Sequence, residues 1–539
     1  MKHREWRCAC LMLKVYIRED LLYKKSELLK ALDFSENNER DKASYNKLIN
    51  ELKRKRLLKT RRKKGSRESL DDDASLISED DVDFDDYVGD EGDCIQYLFR
   101  FVGVIFHDDR IINVYPKYVE SGNRLEDHMR QVINVIRKHQ GKLYRLDVSA
   151  ILEEIDRGEE ITELSIILFL INDYSRNGLY FETEKITEYN GYGDIQWGKT
   201  VENITPIMTN NRPISMDVLT CKRKDNDFNY FVRLHKYILT EASNELEKTD
   251  LTEFFSLPQI ELSNDEYSDF GDTEYILNVI DAEMGRQFDD RKLAVLHAMY
   301  LYIRQKKAAT IHYMKSSDEG LRFFGTRAFH KVWEDVIDSV YVSQKDLSFG
   351  EIKTKYVNTL DYTLNLPNGS SWLVQANQNL GSIIEKPEWH LKDSGVSSKY
   401  ATYLPSGTFV PDYLKFNAAR DTFYIIDAKY YLPRWYVTND GEYKIEKQPG
   451  VEDVVKQYMY YLAYKPLLEN NMIDIRHVEN YYVMPTEGED EDSGYVKIDF
   501  LAQLLPDVFN IRVKRINAEK LFDHYLHDEV LDVSTMPNS

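Results

Sequence analysis

Two short apolar runs, FVPDYLKF (residues 409–416) and FYIIDAKYY (423–431), each carry a carboxylate inside an otherwise strand-like pattern. Runs of this length, rich in aromatic and β-branched residues and bounded by polar turns, read as strands. Side chains alternate along a strand, so Asp427 and Lys429 project from one face while Ile426 and Ala428 point to the other. Asp412 stands fifteen residues before Asp427. Pairing the two runs brings two carboxylates and an ammonium together at a sheet edge, and the rest of the chain has to be compatible with that cluster.

Such a cluster has a chemical use. Hard oxygen ligands suit Mg²⁺, which takes one or two carboxylates and keeps water and phosphate as its other ligands. A lysine beside it can face the negative charge that develops on a phosphate, or orient an attacking water. This is what metal-assisted phosphodiester hydrolysis requires. The plainer reading is a chance Asp-x-Lys pair on an exposed strand, and Pro411–Asp412 in a second apolar strand weighs against it.

The flanking segments give an α/β order. A helix over 327–341 places Phe329, Val332, Trp333, Val336, Ile337 and Val340 on one buried face. Glu334 and Asp335 lie on opposite flanks of that stripe, and periodicity does not choose between them. After the two strands come a helix, GVEDVVKQYMYYLAYKPLL, strands VENYYVMPT and GYVKIDF, and finally RINAEKLFDHYL. This is a mixed sheet layered with helices. Gln457 and Tyr461 are four apart on one helix face, with Lys456 beside them. They read either as a polar helix edge with a core tyrosine or as the lining of a nucleic-acid channel.

The chain of 539 residues exceeds one hydrophobic core. Its net charge of −21 argues against nucleic acid until its distribution is considered. Thirteen acidic residues lie between Glu68 and Asp93, and without them the balance is −8. Directly before them, residues 53–64 (KRKRLLKTRRKK) hold nine Lys or Arg, including Lys53, Arg54, Lys55 and Arg56. Residues 20–64 read as two helices, the second basic, resembling a small winged-helix or helix-turn-helix unit that can contact DNA. A solvated basic helix end before an acidic linker explains the same residues. The four cysteines (8, 10, 94 and 221) are scattered and suggest neither disulfides nor a metal site. No stretch has the ~18 consecutive apolar residues of a membrane span. With no signal-peptide pattern at the basic start, a cytoplasmic protein is expected. GYGDIQWGKT only echoes a phosphate loop: Gly193 and Gly198–Lys199–Thr200 follow no clear strand and read as structural.

The motifs "PD", "DAK" and "QxxxY", in this order, resemble the PD-(D/E)xK nuclease superfamily. More specifically, FVGVIFHDDRIINVYPKYV, GDIQWGKTV, GTRAFHKVWEDV, FVPDYLKF, IIDAKYY and PGVEDVVKQYMYYLAY resemble the LlaJI-type restriction endonuclease family, itself similar to McrC. The resemblance covers most of residues 94–480. It implies a Mg²⁺-dependent DNA endonuclease subunit of a phage-defence system, working on double-stranded DNA with a separate McrB-like AAA+ GTPase. Asp412 and Asp427 match the metal-binding acids, Lys429 the catalytic lysine, Glu334 the helix acid, and Gln457 and Tyr461 the auxiliary motif. Related helices often read Phe-Glu where this one has Phe329–His330. The implied organisation is a small helical unit (1–65), an acidic linker (66–93), a mixed α+β partner-docking domain (94–245), a helical connector (246–317) and a C-terminal nuclease domain (318–539). A stand-alone repair or recombination nuclease of the same fold, and a non-catalytic DNA-binding factor, are the alternatives.

Overall fold

The computed structural model describes residues 13–35, 38–62, 95–107, 110–144, 162–181, 183–210, 212–225, 229–248, 251–255, 257–313, 321–361, 363–365, 371–384, 389–392, 400–403, 410–417, 422–438, 440–471, 478–499 and 510–537. It is a mixed α/β protein of two compact units. One comprises residues 1–139, 158–160 and 321–539, and the other residues 140–157 and 161–320. Cys8, Cys10, Cys94 and the acidic tract 66–93 lie outside the described residues. Among the described residues, no helix is long and apolar enough to cross a membrane.

The first unit holds a five-stranded mixed sheet. Strand Tyr413–Asn417 pairs antiparallel with Thr422–Ala428, followed by Val478–Thr486 and Ile511–Asn517 in parallel and Glu491–Val496 antiparallel at the edge. Parallel neighbours need a crossover, and helix Val451–Asn470 provides it between Thr422–Ala428 and Val478–Thr486. Its Tyr458, Tyr461 and Tyr464 pack with Phe423 and Ile425 of the sheet in one apolar cluster. Helix Phe329–Tyr341 buries the stripe that its periodicity predicts. The Trp333 indole donates to the Val483 carbonyl at 3.0 Å and meets Phe522 of helix Ala518–Leu526 edge-on.

Ile511–Asn517 is a strand that sequence reading misses, because Lys514 interrupts its apolar pattern. That lysine is fully buried and is neutralised by Asp492 at 2.7 Å. The adjacent strand also falls earlier than expected, at Glu491–Val496. The run YLFRFVGVIF is divided between two strands: Ile95–Phe99 and Val102–His107 lie in different sheets. Val102–His107 pairs with Arg110–Tyr115 and, on its other side, with Arg322–Thr326. Leu13–Arg18 completes that sheet, parallel to Arg110–Tyr115. Gly103 and Gly325 face each other across it, at φ +149° and +158°. A Cβ on Gly103 would stand 2.2 Å from the Phe324 carbonyl oxygen and 2.8 Å from the Phe101 ring.

The second unit contains helices Glu163–Asn177, Tyr230–Lys248, Thr273–Met284 and Asp290–Tyr313. It also carries a small β module of Thr183–Tyr189, Asp194–Ile195 and Leu219–Asp225. Gly198–Lys199–Thr200 falls in the short helix Trp197–Asn203, and the buried Thr200 hydroxyl accepts from Leu219 N at 3.0 Å.

Gly103→Ala is expected to lower unfolding free energy by at least ~2 kcal/mol, since both the positive φ and the close approach exclude a side chain. Chemical denaturation measures it, and a loss below ~0.5 kcal/mol would mean that the two strands separate at little cost.

Candidate active site

The register of the edge pair sets the site. Tyr413 lies opposite Ile426, so Asp412, one residue before the strand, comes beside Asp427. The backbone N–H of Ala428 donates to Asp412 Oδ2 at 3.0 Å and fixes the carboxylate there. Lys345 donates to the Asp412 carbonyl oxygen at 2.8 Å and holds the chain leading into the strand. Asp427 is 3% exposed, so little water reaches it.

Lys429 continues the strand, its backbone N–H donating to the Val483 carbonyl at 2.9 Å. Its ammonium lies between two carboxylates, 3.1 Å from Asp427 Oδ2 and 2.8 Å from Asp453 Oδ1. Burial opposes the lysine's charge, but Asp427 and Asp453 outweigh it and raise its pKa. Asp453 is a site residue that sequence reading missed. The available signal was its place in the first turn of the helix, four residues before Gln457, where it falls on the same face.

Glu334 belongs to this cluster. Burial first, and then the charge of Asp427, push its carboxyl up to about 7, while Lys345, Lys429 and Lys331 pull the other way. Asp335 is engaged elsewhere: its Oδ2 accepts from the Tyr525 hydroxyl at 2.6 Å and lies 3.0 Å from His139 Nδ1. Burial, then the charge of Asp427 and a hydrogen bond to it, raise Asp412 well above the usual carboxylate range.

The auxiliary residues are not surface groups. Gln457 is fully buried, donating to Asn480 Oδ1 at 2.5 Å and reaching the Ile425 and Tyr481 carbonyls at 3.5 Å. It clamps the helix to two neighbouring strands. Tyr461 is in the apolar core. Lys456 is exposed, its ammonium 5.7 Å from the Tyr460 ring centre. Lys53 is half-buried and Arg54, Lys55 and Arg56 are exposed, at the end of a different helix.

The donor set suits a hard divalent cation held by two carboxylates. Oδ2 of Asp427 is buried and accepts no hydrogen bond, although the Lys429 ammonium is near. Among the described residues, no three His, Cys, Asp or Glu form a metal-holding group. Asp412 and Asp427 are the pair that could hold Mg²⁺, and Glu334, expected as a third metal-binding acid, is near enough to feel the charge of Asp427.

Glu334 makes stability pH-dependent in a definite direction. Its carboxyl is raised from 4.5 to about 7 on folding, so the folded chain keeps a proton that the unfolded chain releases. This contribution is fully present below pH ~4.5 and is lost as pH rises through ~7, a difference of roughly 3 kcal/mol. In metal-free protein, Glu334→Gln is expected to flatten the fall in melting temperature between about pH 5 and 8. An unchanged slope would mean that Glu334 does not feel the cluster.

The model of the LlaJI restriction endonuclease family matches residues 101–361 and 374–519. Over 472 residues, 86% of either chain, the protein is 24% identical to the Type II restriction enzyme BsuMI component YdjA of Bacillus subtilis (strain 168). It is similar to a chain in a tetradecameric assembly of Thermococcus gammatolerans McrB AAA+ hexamers with bound McrC. The identity there is 13% and the TM-score 0.31, covering 96% of this chain and 99% of that one. A chain of the Thermococcus gammatolerans McrBC complex is 12% identical with a TM-score of 0.22, covering 60% of this chain and 86% of that one. With the family match spanning most of its length, the chain belongs to the LlaJI restriction endonuclease family.

Proposed function

We propose that this chain is the nuclease subunit of a restriction system, hydrolysing double-stranded DNA with Mg²⁺ on a PD-(D/E)xK nuclease fold. The observation that carries the reading is the meeting of Asp412, Asp427, Glu334 and Lys429 at the end of one strand pair. Asp412 and Asp427 would hold Mg²⁺, which when bound would supply Lewis-acid chemistry for the phosphate and the attacking water. Lys429 faces the phosphate as a charge, and Asp453 fixes the direction of its ammonium. In the reaction, a water oxygen bonds to phosphorus and the bond from phosphorus to the sugar oxygen breaks.

The same proposal includes a separate McrB-like AAA+ GTPase. The B. subtilis relative is by name one component of a restriction enzyme. The GxxxxGK[ST] match of this sequence, Gly193–Thr200, is not built as a phosphate loop: Asp194–Ile195 within it pairs with Leu219–Asp225, and the buried Thr200 hydroxyl accepts from Leu219 N. The β module of the second unit exposes nine large apolar side chains between Tyr189 and Met216, among them Tyr192, Trp197, Val201 and Met208. Apolar patches of this kind mark protein–protein contacts.

Plasmid cleavage with and without Mg²⁺, the neighbouring GTPase and GTP tests the reading. Cleavage is expected only with all three, and Lys429→Ala is expected to lower it at least ~10²-fold, with Asp453→Asn costing about tenfold. Near wild-type cleavage by Lys429→Ala would sink the site; lysine-dependent cleavage without the partner would mark a stand-alone nuclease. Tyr192→Ser combined with Trp197→Ser is expected to abolish co-purification of the GTPase while leaving the melting temperature in place. Undiminished co-purification would move the docking surface elsewhere.

A further inference from the structure

We infer that helix Glu39–Arg54 is the reading helix of a winged-helix module that binds duplex DNA apart from the cleavage centre. The module precedes the residues that the family model matches, which begin at 101. Its described elements run strand Leu22–Lys24, helix Lys25–Ala31, helix Glu39–Arg54, strand Leu58–Arg62 and strand Ile95–Phe99. The last strand is central in the sheet, pairing antiparallel with both of the others. Strand, helix, helix, strand, strand with the last strand between the other two is winged-helix topology, in which the second helix enters the major groove.

The packing leaves the required face exposed. Tyr45, Leu48, Ile49 and Leu52 bury one side of the helix among Leu28, Leu32, Phe34, Leu58 and Phe99. The opposite side exposes Ala43, Asn46, Lys47, Asn50 and Arg54, which fall within one helical stripe. Sixteen residues span roughly 24 Å, enough to lie along a groove about 12 Å wide.

The chemistry of that stripe favours nucleic acid over a protein partner. It exposes no large apolar residue, so it offers nothing for a hydrophobic interface. Side-chain amides pair with adenine through two hydrogen bonds, and Arg and Lys with guanine or phosphate. The stripe carries one acid, Glu39 at the first residue of the helix, where it pairs with Lys42 at 2.8 Å. From Lys42 to Lys64 the only acid is Glu51, and it is buried. The inference rests on the nuclease reading only in its choice of duplex DNA over other nucleic acids.

The test is affinity selection from a randomised duplex library with the full chain in EDTA, where no metal-dependent cleavage occurs. Failure of the nuclease reading therefore leaves the result intact. The wild-type chain is expected to enrich a defined motif. Asn46→Ala with Asn50→Ala is expected to lose that enrichment, weakening the selected duplex about 10–100-fold and random duplex by less than about twofold. Lys53→Ala with Arg54→Ala is expected to weaken every duplex and to reduce the slope of log affinity against log salt by roughly two. Unchanged melting temperatures show that each variant is folded. An identical motif from the asparagine variant, an unchanged salt slope, tighter binding to single-stranded RNA, or no nucleic-acid binding by wild type would each overturn the inference.

Discussion

The site depends on holding two carboxylates side by side where water is scarce. Burying like charges together is uphill, because each raises the cost of ionising the other. The chain offsets this with groups fixed by the backbone. Ala428 N–H binds Asp412, the Lys429 ammonium lies between Asp427 and Asp453, and Lys345 binds the Asp412 carbonyl while facing Asp338 at 3.3 Å. Compensation is incomplete, which is why Asp412 and Glu334 cling to protons. A divalent cation, as proposed, would relieve that residual repulsion. The unneutralised charge sits on elements braced by Trp333 against Val483 and by Gln457 against Asn480.

The lysine is also tied to the chain's N-terminal strands. Tyr430, directly after Lys429, is buried and donates its hydroxyl to Glu19, one residue past strand Leu13–Arg18. The backbone N–H of Lys117 donates to the same hydroxyl at 3.1 Å and to Glu19 at 3.2 Å, and its ammonium is 4.7 Å from the Tyr430 ring centre. Glu19 is itself held at raised proton affinity by burial. The end of the N-terminal sheet and the end of the Asp427 strand thus share one hydrogen-bonded knot. Displacing either moves the backbone one residue from the Lys429 ammonium.

Much of this was legible in the sequence where local periodicity and burial agree. The strands of Asp412 and Asp427, the stripe around Trp333 and the long helix of Gln457 follow from alternation and helical spacing, since each element buries one continuous face. The choice between Glu334 and Asp335 was not legible. Both flank the stripe, and only the distant Tyr525 and His139 distinguish them by claiming Asp335. Asp453 was hidden for a related reason: an acid in the first turn of a helix is ordinary for stabilising the helix dipole, and only the fold brings Lys429 to it. Lys514 concealed a strand because its neutralising partner, Asp492, comes from the neighbouring strand. The compact units were invisible along the chain for a topological reason, since one of them is assembled from segments on both sides of the other.

Charge distribution joins these parts into one argument. A chain of net charge −21, with an acidic cluster at its proposed site of hydrolysis, gains nothing from the long-range field in approaching a polyanion. Screening confines that repulsion to about 10 Å at ordinary ionic strength, so a local cationic surface decides whether contact is made. The exposed basic side of helix Glu39–Arg54 is such a surface, and it lies far along the chain from Asp412 and Asp427. On the proposed reading, the acidic cluster would repel a phosphate unless a divalent cation offset its charge, so contact with DNA and access to the site would be set by different groups.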